Sequence, residues 1–232
     1  MKKERSLFEW IFIPVALVSL GLCAWRFHAG VLVPLCAMLG VVGSTLNGTG
    51  RKVCYFFLLA SAVMYAYISF ANRFYGESIL SAVYSAPLFL YSILRWFKPG
   101  GAKKTADVFH LRPAAALRLG GLLLVGAVVY GFALRAMGSH LPFLNAVSTA
   151  VAVAANYLSA RRMKEQWYAQ LASNAALITM WLIASGSDQG NVPLLVENIL
   201  FVVSNIRGAI RWTRLGRMVP ARENTACPAI DK

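Results

Sequence analysis

The sequence predicts an all-α polytopic membrane protein of eight transmembrane helices, with one extra N-terminal helix ahead of a 3+1+3 core of two parallel three-helix repeats. Three observations lead there. Of its 232 residues, 58% are hydrophobic and only 14% are charged, against roughly 25% charged in a soluble domain. Apolar stretches able to cross a hydrocarbon core of about 30 Å, at about 1.5 Å per residue, fill almost the whole chain and leave no room for a soluble domain. The basic residues lie between these stretches, on alternate connections.

The first span, 7–26, follows the basic start MKKER. Such a start also opens signal peptides, but the apolar run is long and no small-residue cleavage site follows, so a retained span is expected. Spans at 30–47, 53–72 and 77–97 make the first repeat, 30–97. Pro87 falls inside its third helix and must kink or locally loosen it. Residues 98–112, KPGGAKKTADVFHLR, are the longest polar stretch before the tail and read as a linker. They lead into one inverting helix at 114–136, the two together filling 98–137. Spans at 141–160, 165–185 and 192–213 make the second repeat, 141–213, and 214–232 is a polar cytoplasmic tail.

With the N-terminus in the cytoplasm, 20 of the 23 Lys and Arg residues fall on the cytoplasmic side, and only Arg26, Arg73 and Arg135 fall opposite. Basic residues are retained on the cytoplasmic side, so both termini are expected there, and an odd number of spans would destroy the bias. This distribution also explains a net charge of +14 without nucleic acid as a partner.

The two repeats are visible as residues. CYFFLLASAVMYAY from Cys54 aligns with QWYAQLASNAALIT from Gln166, sharing Leu-Ala-Ser at an offset of 112, and SILRW ending at Trp96 aligns with GAIRW ending at Trp212 at an offset of 116. The pairs Arg51-Lys52 and Arg161-Arg162 match in the preceding connections. The four-residue difference between offsets is expected in the external loop, NRFYGES in one repeat and SGSDQGNVP in the other. Repeats joined by an inverting helix form a transporter plan, with the solute site near the midplane between them.

Chemistry of other kinds finds little support. Cys23, Cys36, Cys54 and Cys227 show no CxxC spacing, and His28, His110 and His140 are dispersed, so neither a disulfide framework nor a metal site is expected. No phosphate-binding GxxxxGK[ST] loop is present, and no His and acid residues converge within the spans as a membrane enzyme needs. No cofactor is expected.

The span at 165–185 is the informative one. Trp167, Gln170, Asn174, Leu177 and Trp181 recur at i, i+3, i+7, i+10 and i+14, one helix face. Asn174 lies about 13 Å inward from the cytoplasmic end, near the bilayer centre. Amides there belong in a bundle interior or a cavity; taken singly they serve as helix glue worth about 0.6 kcal/mol. Convergence argues for more. The last span brings Glu197, Asn198, Ser204 and Asn205, and the span before brings Asn145, Ser148, Thr149 and Asn156. The first repeat offers Tyr65, Tyr67, Tyr84 and Tyr91, but Leu58 and Ala62 stand where the second has Gln170 and Asn174, so the site is expected to lean towards the second repeat. Indole faces stack flat rings and attract cations, while amides bind hydroxyl or carboxamide groups.

The segments RRMKEQWYAQLASNAALITMWL and VENILFVVSNIRGAIRW resemble the last two spans of the Pnu family of bacterial vitamin transporters, whose best-known members carry nicotinamide riboside. The resemblance spans roughly residues 30 to 213. Trp167 fits the first tryptophan of the family's WxxW pair and Asn174 the asparagine that follows, whereas Gln170 takes the second tryptophan's place. Glu197 and Trp212 match a glutamate and a tryptophan of the last span; LYSILRWF keeps Tyr91 and Trp96 but lacks the family's glycine, and RFYGESIL resembles its short external turn.

The resemblance implies facilitated diffusion of a flat B vitamin or its nucleoside, nicotinamide riboside first, with the repeats rocking around the solute and a separate cytosolic kinase trapping it. Thiamine, riboflavin, or a sugar carried on the related SWEET-type helix arrangement remain alternatives. The expected substrate-binding residues are Trp167, Gln170, Asn174, Trp181, Glu197, Asn198, Asn205 and Tyr91. The expected partners are the solute and the lipid bilayer of a bacterial inner membrane, with a homo-oligomer left open.

Overall fold

The computed structural model describes residues 7–48, 52–96, 113–160 and 163–218. The expected linker 98–112, the basic residues Arg51, Arg161 and Arg162, and the tail from 219 lie outside the described residues. Every regular element among them is a helix: α1 Leu7–Arg26, α2 Leu32–Gly48, α3 Cys54–Ala71, α4 Tyr75–Ile79, a π-helical turn Leu80–Ser85, α5 Ala86–Trp96, α6 Pro113–Ala136, α7 Pro142–Ala160, α8 Gln166–Ser187, a 3-10 turn Gln189–Asn191 and α9 Val192–Met218. Counting α4, the π turn and α5 as one irregular helix, and leaving aside the 3-10 turn, there are eight helices among the described residues.

The boundaries have local causes. Pro113 and Pro142 open α6 and α7, at the first helical position, where a missing N–H costs nothing. Pro87 sits just inside α5; it has no N–H for the carbonyl of Val83 and its ring crowds that carbonyl. The π turn immediately before it takes up this misfit. Asp188 ends α8 and accepts a 2.9 Å bond from the Gly190 N–H, shaping the turn into α9.

By length and composition, four stretches are apolar enough to cross a membrane: Cys54–Ala71, Tyr75–Leu94, Ala114–Ala136 and Gln189–Ile210. Shorter apolar stretches are Trp10–Arg26, Leu32–Asn47 and Pro142–Leu158. The outer surface is apolar, with Trp25, Leu117, Leu122 and Val125 well exposed, as lipid contact requires.

Hydrocarbon supplies no hydrophobic drive between helices, so close packing of small residues and buried polar bonds must hold the bundle. The core is built accordingly: Ala16 of α1, Cys36, Ala37 and Val41 of α2, and Met180, Trp181 and Ala184 of α8 meet in one cluster. Ser61 donates to the Cys36 carbonyl at 3.1 Å and ties α3 to α2. Helix α2 packs on α3, α7 on α8, and α8 on α9; α6 packs against α7, and α1 leans on α2 and α9. The N-terminal helices α2–α5 meet the C-terminal set α7–α9 where α2 crosses α9 and α4 crosses α7.

Candidate functional site

On α8 the face read from spacing is inward. Asn174 and Trp181 are buried, and Trp167, Gln170 and Leu177 are half-buried. The indole of Trp167 lies across Gly208 of α9, so closely that any Cβ there would run into the ring. The Nδ2 of Asn174 has no hydrogen-bond partner among the described residues. On α9, Asn198 and Asn205 are buried. The Asn198 amide donates to the Leu194 carbonyl at 2.8 Å, while its Oδ1 and the hydroxyl of Ser204 have no partner among the described residues. Adjacent helices thus hold an orphaned amide donor, an orphaned carbonyl acceptor and an orphaned hydroxyl, each of which loses free energy unless a further group completes it.

Glu197, buried at 3% exposure, points from α9 towards α2, its carboxylate filling the notch left by Gly40 beside Ser61. Trp181 is fully buried. Its indole N–H donates to the Tyr65 hydroxyl at 3.1 Å, and Tyr65 and Phe74 meet its ring edge-on at centroid distances of 5.8 and 5.3 Å. His140 stacks on Phe74 at 5.6 Å. Trp181 is therefore part of an aromatic plug shared by α3, α8 and two connections, away from any lipid interface. Tyr91 is 56% exposed on α5.

The polar residues of α7 serve a partner that sequence reasoning missed. Glu77 of α4 is 3% exposed. Its carboxylate accepts from Ser148 at 2.5 Å and from Thr149 at 3.4 Å, and its backbone N–H donates to the Asn145 side chain at 3.1 Å. Asn145 in turn donates to Ser139 at 3.2 Å, whose hydroxyl donates to the Arg73 carbonyl at 2.9 Å. Asn156 is half-buried further along α7. A signal for Glu77 existed: Glu77-Ser78-Ile79-Leu80 repeats as Glu197-Asn198-Ile199-Leu200 at an offset of 120.

That offset corrects one expectation. The four-residue difference between repeats is not confined to the external loop. The second repeat carries eight extra residues between Leu-Ala-Ser and the glutamate, and the first carries four extra after the glutamate, in the stretch that holds the π turn and Pro87. Part of the first excess is helix: α8 runs 16 residues past Leu171 to Ser187, whereas α3 runs 12 past Leu59 to Ala71.

The turns that follow α3 and α8 are joined directly. Asn191 donates its side-chain amide to Oδ1 of Asn72 at 2.9 Å, and the Asn72 amide donates back to Oδ1 of Asn191 at 3.3 Å.

A bundle of apolar helices with orphaned amides and hydroxyls inside suits a membrane transporter for a small polar solute. The comparisons agree. The chain belongs to the nicotinamide mononucleotide transporter family, whose profile matches residues 31–214. It is similar to the nicotinamide riboside transporter PnuC of Neisseria mucosa, 29% identical over 190 residues that cover 79% of this chain and 72% of that one. The PnuC of Haemophilus influenzae is 24% identical over 193 residues, 79% and 80% of the two chains. A crystal structure described as the vitamin B3 transporter PnuC matches at a TM-score of 0.76 and 26% identity, over 92% of this chain and 93% of that one. The family and these relatives are transporters, not enzymes.

Proposed function

We propose that this protein carries nicotinamide riboside across the membrane by facilitated diffusion, and that α8 and α9 hold the solute. One observation carries the site: the unsatisfied Asn174 donor, Asn198 acceptor and Ser204 hydroxyl stand on the packed helices α8 and α9, between which the Trp167 indole lies against Gly208. A carboxamide offers one acceptor and two donors, and ribose hydroxyls offer both, so these groups complement the riboside. The nicotinamide ring of the riboside is a pyridinium cation, which an indole face favours. Gln170, where the family has tryptophan, replaces one stacking wall by an amide.

The arrangement we infer is the 3+1+3 plan, with α2–α5 and α7–α9 as parallel units, α6 inverting between them, and both termini in the cytoplasm. The Glu77 and Glu197 tetrapeptides and the contact between Asn72 and Asn191 support the two units. The units rock about the solute, the turns at Asn72 and Asn191 parting when the outer side opens, and a cytosolic kinase traps the riboside.

Calorimetric titration of the purified protein with nicotinamide riboside, thiamine and riboflavin tests this reading. Saturable binding of the riboside is expected, lost in Trp167→Ala and weakened about tenfold in Asn174→Ala, the loss of a hydrogen bond to a buried polar group. Binding of thiamine or riboflavin in place of the riboside would reassign the solute; equal loss of folded protein and of binding in Asn174→Ala would make Asn174 helix glue.

A further inference from the structure

We propose that Glu77 is a positioning residue for transport: it grips α7 across the contact between the two units and so sets the depth at which α8 presents Asn174. The proposal deepens the reading of Asn174 as a solute contact and rests on it.

A carboxylate in a bundle interior is costly unless its lone pairs are bonded. Glu77 is bonded from three positions of α7 that share one face at i, i+3 and i+4: Asn145 through the Glu77 backbone N–H, Ser148 and Thr149 through the carboxylate. A slide of α7 by one turn, about 5.4 Å, would break all three together, so the grip defines a register. Ser148 also faces α8. Its carbonyl accepts a long 3.5 Å bond from Ser173, the residue before Asn174, and its hydroxyl lies 3.6 Å from the Met180 sulfur.

The first unit repeats the serine link, Ser61 donating to the Cys36 carbonyl at 3.1 Å as Ser173 does to Ser148, but not the side chains that bond Glu77. At the offset of 112, the positions of Asn145, Ser148 and Thr149 are Val33, Cys36 and Ala37, and Glu197 docks beside Gly40, about one turn further along α2. Among the described residues, the carboxylate grip through Ser148 and Thr149 is found on α7, in the unit that carries Asn174.

The test uses the full-length protein with two readouts. In a background with Cys23, Cys36, Cys54 and Cys227 replaced by alanine, the rate at which a water-soluble maleimide labels Asn174→Cys reports the setting of α8 without any solute. In the native background, titration with nicotinamide riboside reports affinity. Glu77→Ala should change the labelling rate about tenfold and weaken binding by a similar factor, as expected for losing two side-chain hydrogen bonds in a buried site. Glu77→Gln, whose amide oxygen still accepts from Ser148, should hold both within about threefold. If Glu77→Ala does not fold, Ser148→Ala, which leaves the carboxylate in place, carries the same expectation. Unchanged labelling and affinity in Glu77→Ala, or in Ser148→Ala should that variant stand in, would overturn the proposal, as would Glu77→Gln behaving like Glu77→Ala. Failure of the unmodified protein to bind the riboside would sink the solute assignment alone, because labelling at position 174 still decides whether Glu77 sets α8.

Discussion

Gly40 and Gly208 show how much a single hydrogen in place of a side chain can decide. The first admits the carboxylate of Glu197 between α9 and α2, and the second lets the indole of Trp167 lie against α9. Their value is close approach rather than backbone freedom. Gly208→Ala should force the Trp167 ring aside, at a cost of about 1–3 kcal/mol for overpacking. The expected readouts are a lowered melting temperature in detergent and a shifted tryptophan emission. Gly120, with nothing within 4 Å of an added Cβ, is the control; an equal fall in Gly120→Ala would show that helix propensity or lipid contact, not the Trp167 contact, sets the cost. Neither contact is legible in the sequence, where Gly208 is one more glycine in a span and Trp167 reads equally well as an interfacial anchor.

Helix ends are where local signals worked best. The expected spans 53–72 and 165–185 coincide with α3 and α8 to within two residues, because apolar length and flanking charge are properties of the segment itself. The third helix of the first unit shows the limit. Pro87 predicts a loosened helix, and a π turn precedes it, but the extent of the turn depends on how α4 is held by α7 and α5 by α3. Pro87→Ala restores a backbone donor and removes the ring clash. The variant should melt higher and take up solute more slowly, the trade expected when an irregular element serves motion. Uptake at the native rate from a more stable protein would make the π turn a packing solution with no part in transport.

Across the whole molecule, the two helix sets are clasped by matched groups: Asn72 with Asn191, and Tyr65 with Trp181. If these turns part during transport, a disulfide between Asn72→Cys and Asn191→Cys, in a background free of other cysteines, should stop uptake and release it on reduction. Full uptake by completely cross-linked protein would mean that the turns move as one body. The sidedness inferred from basic residues is checked by reporter fusions at both ends, which should be active only as cytoplasmic reporters.

The sequence by itself determined the membrane class, the number of helices, the inward face of α8 and the family, because hydropathy, 3.6-residue spacing and motif identity are carried by neighbouring residues. Only the tertiary structure decided that Asn145, Ser148 and Thr149 serve Glu77, that Trp181 is locked by Tyr65 and Phe74, and that Glu197 reaches α2. Those partners lie between 68 and about 160 positions apart in the chain, and what brings them together is the stacking of helices against one another, which no local periodicity encodes.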